Sequence, residues 1–132
     1  MPTPIQNRAD ALNCKVAIVD DDPRVRKLLS LSLEELEVEA DFFENSFDLL
    51  AKICDQSYIL LMVDLMMPQM NGVECCRRVR GLGYEGKLLV VSALIDAELE
   101  QAALDAGADR YFGKSEMFEQ LESIIRELGV LN

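Results

Sequence analysis

The stretch Tyr58-Ile-Leu-Leu-Met-Val-Asp64 is an apolar run that ends in an acid, and the turn-forming residues Leu65-Met-Met-Pro-Gln-Met-Asn-Gly72 follow it directly. A second run, Cys14-Lys-Val-Ala-Ile-Val-Asp20, ends in the same way, in three acids followed by Pro23. Continuous apolar runs of this length predict strands that are buried on both faces of a parallel sheet. Chemistry in such sheets collects beyond the carboxyl ends of the strands, so the two groups of acids predict a shared acidic pocket.

The length and composition predict one globular domain. The chain has 132 residues, of which 50% are hydrophobic and 28% charged. This is enough to bury a core but too short for two domains. The apolar runs are shorter than the roughly 20 residues that span a bilayer, and the first residues contain no apolar segment typical of a secretion signal. We therefore expect a cytoplasmic protein with a loose leader over residues 1–13 and one domain over residues 14–132.

The charge and the missing histidine exclude several function classes. Thirteen basic residues against 24 acidic ones give a net charge of -11, which argues against nucleic-acid or anionic membrane partners. The absence of histidine excludes histidine metal sites, Ser-His-Asp and Cys-His pairs, and a role as phosphohistidine donor. The four cysteines lack metal-site spacing, and we expect them to be small buried hydrophobes in a reducing compartment. They are Cys14, Cys54, Cys75 and Cys76.

Hydrophobic spacing predicts five strands that alternate with five helices. The strands are Cys14–Asp20, Val38–Phe43, Ile59–Asp64, Lys87–Ser92 and Asp109–Gly113. The helices begin at Pro23, at a cap on Asn45 or Ser46, after the turn at Gly72, at Asp96 and at Glu116, and the last runs to Leu128. Strict alternation predicts right-handed crossovers and a doubly wound α/β fold, with a five-stranded parallel sheet covered on both faces.

Apolar spacing also suggests which side of each helix faces the sheet. On the first helix it selects Val25, Leu28, Leu29, Ser32, Leu33 and Leu36. On the second it selects Phe47, Leu50, Ala51 and Cys54. On the last it selects Phe118, Leu121, Ile124, Ile125 and Leu128.

Four chemically useful groups fall at the carboxyl ends of four predicted strands. They are the Asp20-Asp21 pair, Asp64, Ser92 and Lys114. Carboxylates about 4 Å apart repel by about 4 kcal/mol at an effective dielectric of about 20, so a proton or a cation has to separate them. Without histidine or cysteine donors nearby, the oxygen ligands favour a hard cation, Mg²⁺ or Mn²⁺.

The same groups suit phosphoryl transfer to an aspartate. Asp64 supplies an in-line nucleophile, a divalent ion offsets its charge, and Lys114 and Ser92 supply donors to the phosphoryl oxygens. The product would be an acyl phosphate on Asp64.

Four segments resemble the receiver (CheY-like) domain of two-component response regulators. They are Val19-Asp20-Asp21-Asp22-Pro23, Asp64-Leu-Met-Met-Pro68-Gln-Met-Asn-Gly72, Val91-Ser92-Ala93 and Gly107-Ala-Asp-Arg-Tyr111-Phe-Gly-Lys114. The resemblance covers about Lys15 to Leu128. It implies a flavodoxin-like (βα)5 fold with strand order 2-1-3-4-5.

The resemblance also implies roles for individual residues. Asp64 is the expected phosphoacceptor, which takes its group from the phosphohistidine of a sensor histidine kinase or a phosphotransfer protein. Asp21, Asp64 and the backbone carbonyl of Met66 are the expected Mg²⁺ ligands, with Asp20 acting through water. Lys114 is expected to contact the phosphoryl group.

A switch pair follows from the same resemblance. Ser92 is expected to move toward the phosphoryl group while the ring of Tyr111 turns inward. The last two helices and the strand between them would then change their affinity for an output partner or output domain, which the sequence does not name.

Two departures from the family pattern carry predictions. Ser115 follows Lys114 where the family normally has proline, and we expect a trans bond because a cis bond without proline costs roughly 2.5–4 kcal/mol. Met66 and Leu94, at positions that tune acyl-phosphate lifetime in the family, are both apolar. They offer nothing to orient an attacking water, so we expect slow self-dephosphorylation.

Other functions remain as alternatives. Each group has an ordinary interpretation when taken alone, since acids at a helix start are common and a lone lysine is usually solvated. A pseudo-receiver that binds partners without phosphorylation is one alternative. A haloacid-dehalogenase-like phosphatase is another, although Arg24 stands where that motif needs Thr or Val. A flavin module is rejected because acids after the first strand would repel the flavin phosphate.

Overall fold

Five parallel strands form a single sheet in the order β2-β1-β3-β4-β5 in the computed structural model, which describes residues 15–127. The strands are β1 (Lys15–Val19), β2 (Ala40–Phe43), β3 (Tyr58–Asp64), β4 (Lys87–Ser92) and β5 (Arg110–Gly113). The helices are α1 (Pro23–Glu35), α2 (Ser46–Lys52), α3 (Gly72–Gly81), α4 (Ala97–Asp105), α5 (Lys114–Glu119) and α6 (Leu121–Glu127). The predicted doubly wound fold and its strand order are confirmed.

Local sequence explains where the helices begin. Pro23 occupies the first turn of α1, where its missing N–H leaves no bond unmade, and the side chain of Asp22 caps that helix. Asn45 caps α2, Asn71 caps α3 and Asp96 caps α4 through side-chain oxygens that accept backbone N–H groups. Each cap lies just beyond the carboxyl end of a strand, and α5 begins at Lys114 directly after β5. Every helix except α6 therefore starts close to the acidic edge of the sheet.

Alternation along the strands divides the core into two layers. The central strands are buried on both faces, and successive side chains point to opposite sides of the sheet. One layer packs under α2, α3 and α4 and contains Ala17, Val19, Leu61, Val63, Leu88 and Val90 from the strands. The other packs under α1, α5 and α6 and contains Val16, Ile18, Leu60, Met62, Leu89 and Val91. Burial of this kind contributes about 25 cal/mol per Å² and fixes the strand register that positions the acids.

The last helix differs from its prediction. A single helix from Glu116 to Leu128 was expected, but the chain enters α5 at Lys114 directly after β5 and breaks at Gln120 before α6. Gly113 ends the strand and serves as an extended N-cap, so no loop residue separates strand from helix. The break escaped the sequence pattern because apolar spacing continues across it, through buried Met117 and Leu121. Leu128 lies outside the described residues.

The second strand is shorter than predicted. It was expected to begin at Val38, but Glu37 adopts a left-handed conformation with φ 58° at the end of α1. The N–H of Val38 then bonds to the carbonyl of Leu33, which places Val38 in the helix-ending turn. Ala40 is therefore the first strand residue.

The prediction of which residues are buried was partly wrong for two helices. On α2 the buried side chains are Ser46 and Leu49, with Ile53 at the cap, whereas Phe47, Ala51 and Cys54 are exposed. On α1 the expected core residue Leu28 is 53% exposed. Apolar side chains on both sides of a short helix leave the sequence pattern ambiguous, and contact with the sheet decides which side is buried.

The cysteine prediction is confirmed for two positions. Cys75 and Cys76 are buried in α3, where burial raises the pKa of both thiols and keeps them protonated. The prediction is wrong for Cys54, which is exposed. The leader over residues 1–13 and Cys14 lie outside the described residues. Within residues 15–127, no helix has the length and apolar character needed to cross a membrane.

Candidate functional site: an acidic pocket at the carboxyl edge of the sheet

The predicted site residues meet where the strands end. Asp20 directly follows β1, Asp64 is the last residue of β3, Ser92 is the last residue of β4, and Lys114 directly follows β5. All five strands run parallel, so these residues share one edge of the sheet. The local register supports this placement, because Asp64 pairs with Val91 and Ser92 pairs with Gly113.

Three carboxylates form the centre of the pocket. One oxygen from each of Asp20, Asp21 and Asp64 lies within 4.8 Å of the other two. Asp20 and Asp64 are each 3% exposed, whereas Asp21 faces solvent. Like charges this close repel strongly when they are shielded from water, so the cluster needs a counter-charge or a proton.

The ammonium group of Lys114 supplies part of that counter-charge. Its nitrogen lies 3.0 Å from Oδ2 of Asp20 and 3.5 Å from Oδ2 of Asp64. Burial lowers the pKa of Lys114, but the hydrogen bonds and charges of the two aspartates outweigh it and raise the pKa above its ordinary value. Lys114 is therefore charged, and one cation faces three acids.

The carboxyl group of Asp64 is the least satisfied of the cluster. Burial and the charge of Asp20 raise the pKa of Asp64 to about 6, against the lowering effects of Lys114 and the Met66 backbone N–H. Within residues 15–127, its Oδ1 is the one buried side-chain oxygen or nitrogen without a hydrogen-bond partner. A buried oxygen left in this way is costly, so it is an acceptor site for an added cation or phosphoryl group.

A network that the sequence did not reveal holds Asp20 in place. Its Oδ1 accepts a 2.9 Å bond from the N–H of Asp22, and its N–H donates a 3.0 Å bond to the carbonyl of Phe43. Arg26 on α1 donates a 2.7 Å bond to the Asp20 carbonyl. Arg26 was missed because it lies one turn into a helix, and no motif marks a side chain that reaches back to a strand end.

The turn after β3 is closed by a glycine. The N–H of Gly72 bonds to the carbonyl of Leu65 at 2.8 Å, and the N–H of Leu65 bonds to the carbonyl of Val91 at 2.8 Å. A Cβ added to Gly72 would lie 2.7 Å from the carbonyl oxygen of Asp64 and 2.8 Å from the Cα of Leu65. Any other residue at position 72 would therefore displace the backbone that carries Asp64. Met66, in the same turn, is 54% exposed.

Ser92 and Tyr111 are connected through one residue between them. The fully buried hydroxyl of Ser92 accepts a 3.0 Å bond from the N–H of Leu94. The hydroxyl of Tyr111 donates a 2.9 Å bond to the carbonyl of the same Leu94. Ser92 thus lies at the strand end on the acidic edge of the sheet, and the backbone of Leu94 links it to the Tyr111 hydroxyl.

Comparison with known proteins places the chain in a family. The family model described as response regulator receiver domain matches residues 16–126. Response regulator MprA of Mycobacterium tuberculosis (strain ATCC 25177 / H37Ra) is 33% identical over 117 residues, which cover 89% of this chain and 51% of MprA. The chain thus spans about half the length of the curated relatives it matches.

Solved structures share the fold. A CheY-like response regulator receiver domain protein from Methanospirillum hungatei JF-1 is 26% identical with a TM-score of 0.76, over 87% of this chain and 95% of that one. Chemotaxis protein CheY4 of Vibrio cholerae has a TM-score of 0.81 over 87% and 98% of the two chains, and at 24% identity it supports the fold alone. Together with the acidic pocket at the predicted strand ends, these matches show that the chain belongs to the response regulator receiver domain family.

Proposed function

We propose that Asp64 is the phosphoacceptor of this receiver domain and that its phosphorylation changes the affinity of the domain for a partner. The observation that carries this assignment is the Oδ1 atom of Asp64, which is buried, lacks a hydrogen-bond partner in the described chain and lies in the carboxylate cluster beside Lys114. This carboxylate is fixed at a strand end, is shielded from water and has one oxygen without a hydrogen bond. Such a group is suited to nucleophilic attack once its negative charge is offset.

The pocket fits a hard divalent cation, and Mg²⁺ is the proposed cofactor, with Mn²⁺ as an alternative. The donors are carboxylate oxygens from Asp20, Asp21 and Asp64, to which we add the backbone carbonyl of Met66. Histidine is absent, and the metal-sized cluster found among the described residues consists of aspartates without cysteine, so softer metals lack ligands here. When bound, the ion offsets the charge of the acids and allows a phosphoryl group to approach Asp64.

Asp64, Lys114 and Ser92 are the residues that accept and bind the phosphoryl group during the transfer. The P–N bond of a partner's phosphohistidine breaks as a carboxylate oxygen of Asp64 forms the new P–O bond. The other ring nitrogen of that histidine carries the proton, so the products are an acyl phosphate on Asp64 and a neutral histidine on the partner. Lys114, 3.5 Å from Asp64, is close enough to shift its ammonium group to a phosphoryl oxygen. The hydroxyl of Ser92 is the proposed donor to a second oxygen.

The hydrogen bonds of Leu94 can transmit a structural change from Ser92 to Tyr111. If the Ser92 hydroxyl turns toward a phosphoryl group, its bond to the N–H of Leu94 must weaken or rearrange. The carbonyl of Leu94 holds the Tyr111 hydroxyl, so the loop and the aromatic ring respond together. Charge added at Asp64 therefore biases a local two-state element.

The partners follow from the family and remain proposals. They are a sensor histidine kinase or phosphotransfer protein as donor, and an output partner or output domain as recipient of the signal, all in the cytoplasm. We propose a signalling domain that promotes its own phosphorylation and dephosphorylation and does not turn over a separate substrate. An unphosphorylated binding scaffold is the competing function.

Intact-mass measurement after incubation with acetyl phosphate and Mg²⁺ tests the proposal. Wild type should gain one phosphoryl group, and Asp64→Asn should gain none. Asp55→Asn, which removes an exposed acid after α2, is the matched control and should behave like wild type. A wild-type protein that binds Mg²⁺ but never gains the adduct would favour the scaffold function.

A further inference from the structure

We propose that Met66 is an oxidation site and that its sulfoxide shortens the lifetime of the phosphorylated protein. The oxidant is a peroxide, and the atom that it modifies is the thioether sulfur of Met66. The inference rests on the proposed function, because it adds a chemical signal that controls how long the acyl phosphate on Asp64 persists.

Exposure separates Met66 from the other methionines of the described chain. The side chain of Met66 is 54% exposed. The other methionines within residues 15–127 are all buried, with exposures of 8% or less, and they are Met62, Met67, Met70 and Met117. A buried thioether reacts only when the structure opens locally, whereas an exposed one meets a reagent in solution directly. A peroxide should therefore oxidise Met66 before these four residues.

The surroundings of Met66 bring its exposed side chain close to the acceptor. Leu65 and Met67, its neighbours in the chain, are buried in the core layer under α2, α3 and α4, and the side chain of Met66 lies outside that layer. The backbone N–H of Met66 is close enough to the carboxyl group of Asp64 to lower the pKa of that group. The exposed sulfur thus belongs to a residue that contacts the proposed phosphoacceptor.

Oxidation changes the chemical character of this side chain. With hydrogen peroxide, a lone pair of the Met66 sulfur forms an S–O bond to one peroxide oxygen, the O–O bond breaks, and the other oxygen leaves as water. The sulfur is oxidised by two electrons and the peroxide is reduced by two. An apolar thioether becomes a sulfoxide, whose oxygen accepts hydrogen bonds. Because Met66 is exposed, the added oxygen is solvated and the packing of the core is preserved.

The sulfoxide oxygen can hold a water molecule beside the acyl phosphate. The unmodified side chain of Met66 is apolar and cannot do so. A water that donates one hydrogen to the sulfoxide keeps a lone pair free to attack the phosphorus. The new P–O bond forms as the acyl P–O bond breaks, which returns the carboxylate of Asp64 and releases inorganic phosphate, while a proton of the water passes to solvent. Oxidation of Met66 should therefore accelerate dephosphorylation.

Peroxide treatment of the purified protein tests the selectivity of oxidation. After exposure to hydrogen peroxide, thiols are restored with dithiothreitol, which leaves methionine sulfoxide in place, and tandem mass spectrometry follows the gain of oxygen at each methionine. Met66 should be oxidised at least about tenfold faster than Met67 and Met70, which are close to it in the chain but buried. Equal rates at these three positions would overturn the proposal.

Decay of the phosphoryl adduct tests the effect on lifetime. Oxidised and untreated protein are phosphorylated with acetyl phosphate and Mg²⁺, the phosphodonor is removed, and intact mass follows the loss of phosphate. The half-life should fall about fivefold after oxidation, within the range of positioning and acid–base effects. Methionine sulfoxide reductases should restore the original half-life. A half-life that is unchanged or longer after oxidation would contradict the proposal.

Three variants separate Met66 from general oxidative damage. Met66→Leu keeps an apolar side chain without sulfur, so peroxide should no longer change its half-life. Met66→Gln carries a permanent amide oxygen, and its half-life should be short both before and after peroxide. Met70→Leu, which removes a nearby buried methionine, is the matched control and should respond to peroxide like wild type. A response that persists in Met66→Leu or disappears in Met70→Leu would rule out the assignment to Met66.

The same measurements distinguish this proposal from the phosphoacceptor assignment, because oxidation at Met66 is measured without a phosphodonor. An adduct on Asp64 that decays equally fast with and without the sulfoxide would contradict the proposal and leave Asp64 as the phosphoacceptor. Selective oxidation of Met66 in protein that gains no adduct at Asp64 would contradict the phosphoacceptor assignment and, with it, the effect on lifetime.

Discussion

The ammonium nitrogen of Lys114 lies 3.5 Å from Oδ2 of Asp64, and it lies closer, at 3.0 Å, to Asp20. The lysine thus bridges the ends of β1, β3 and β5 and balances part of the charge of the carboxylate cluster. Because its contact with Asp64 is the longer of the two, the lysine can shift toward a phosphoryl group without first losing a tight bond to the proposed acceptor.

Removing this cation should destabilise the metal-free protein. Lys114→Met leaves Asp20 and Asp64 facing each other without a counter-charge, and we expect a loss of about 1–3 kcal/mol in the free energy of unfolding at pH 7. Urea denaturation in EDTA measures this. Lys27→Met, which changes an exposed lysine on α1, should leave stability within about 0.5 kcal/mol of wild type. Equal midpoints for both variants would contradict the bridging role.

The raised pKa of Asp64 predicts a pH-dependent effect on stability. The pKa of Asp64 is about 6 in the folded protein against an ordinary value of 3.8, so the folded state binds the proton more tightly than the unfolded state. The stabilising contribution of the protonated carboxyl is present below about pH 4 and is lost as the pH rises through about 6.

Asp64→Asn introduces a side chain of similar shape that stays neutral at every pH. The variant should therefore not lose stability as the pH rises through about 6. In EDTA at pH 8 the variant should be more stable than wild type by about 1–3 kcal/mol, and the difference should disappear near pH 4. Denaturant titrations at several pH values measure it. A variant less stable than wild type at pH 8 would show that Asp64 is satisfied in the folded protein.

The close packing around Gly72 predicts that alanine substitution destabilises the protein at this glycine but not at Gly81. Gly72→Ala forces a methyl group against the Asp64 carbonyl and should cost about 2–4 kcal/mol in unfolding free energy, with a reduced yield of phosphorylation. Gly81→Ala is the matched control, because nothing lies within 4 Å of its added Cβ at the end of α3. It should be neutral or stabilising by up to about 1 kcal/mol. Thermal unfolding of the two variants measures this difference. Equal losses of unfolding free energy would contradict the steric explanation.

The lifetime of the acyl phosphate should be long. Met66 and Leu94 are exposed apolar side chains that cannot orient an attacking water. Met66→Asn supplies a donor and an acceptor at this position and should shorten the half-life by about tenfold, within the range of acid–base and positioning effects. Decay of the intact-mass adduct after removal of acetyl phosphate measures it. A wild-type half-life of only seconds with Mg²⁺ present would refute the prediction.

The sequence predicted the parts of this protein that depend on periodicity and on strand ends. The continuous apolar run before Asp64 and the run before Asp20 both read as central strands, because only strands buried on two faces lack polar alternation. Once these strands were parallel, their terminal acids had to share an edge. The trans bond expected between Lys114 and Ser115 is also confirmed, since residues 15–127 contain no cis peptide.

Features that depend on tertiary contact were not predicted. The break at Gln120 lies within unbroken apolar spacing, and the exposure of Cys54 and Leu28 depends on which helix side meets the sheet. The bond from Arg26 to the Asp20 carbonyl joins a helix to a strand end through a long side chain. Local sequence contains no signal for contacts of this kind, because they follow from the packing of elements already formed.

Identification of the modified residue tests the central claim most directly. Protein treated with acetyl phosphate and Mg²⁺ is reduced with borohydride, which converts an aspartyl phosphate to homoserine, and tandem mass spectrometry of the peptides then locates the change. We expect homoserine at position 64 alone. Homoserine at position 20, 21 or 22, or an unmodified residue 64 in protein that carries the adduct, would contradict the assignment of Asp64 as phosphoacceptor.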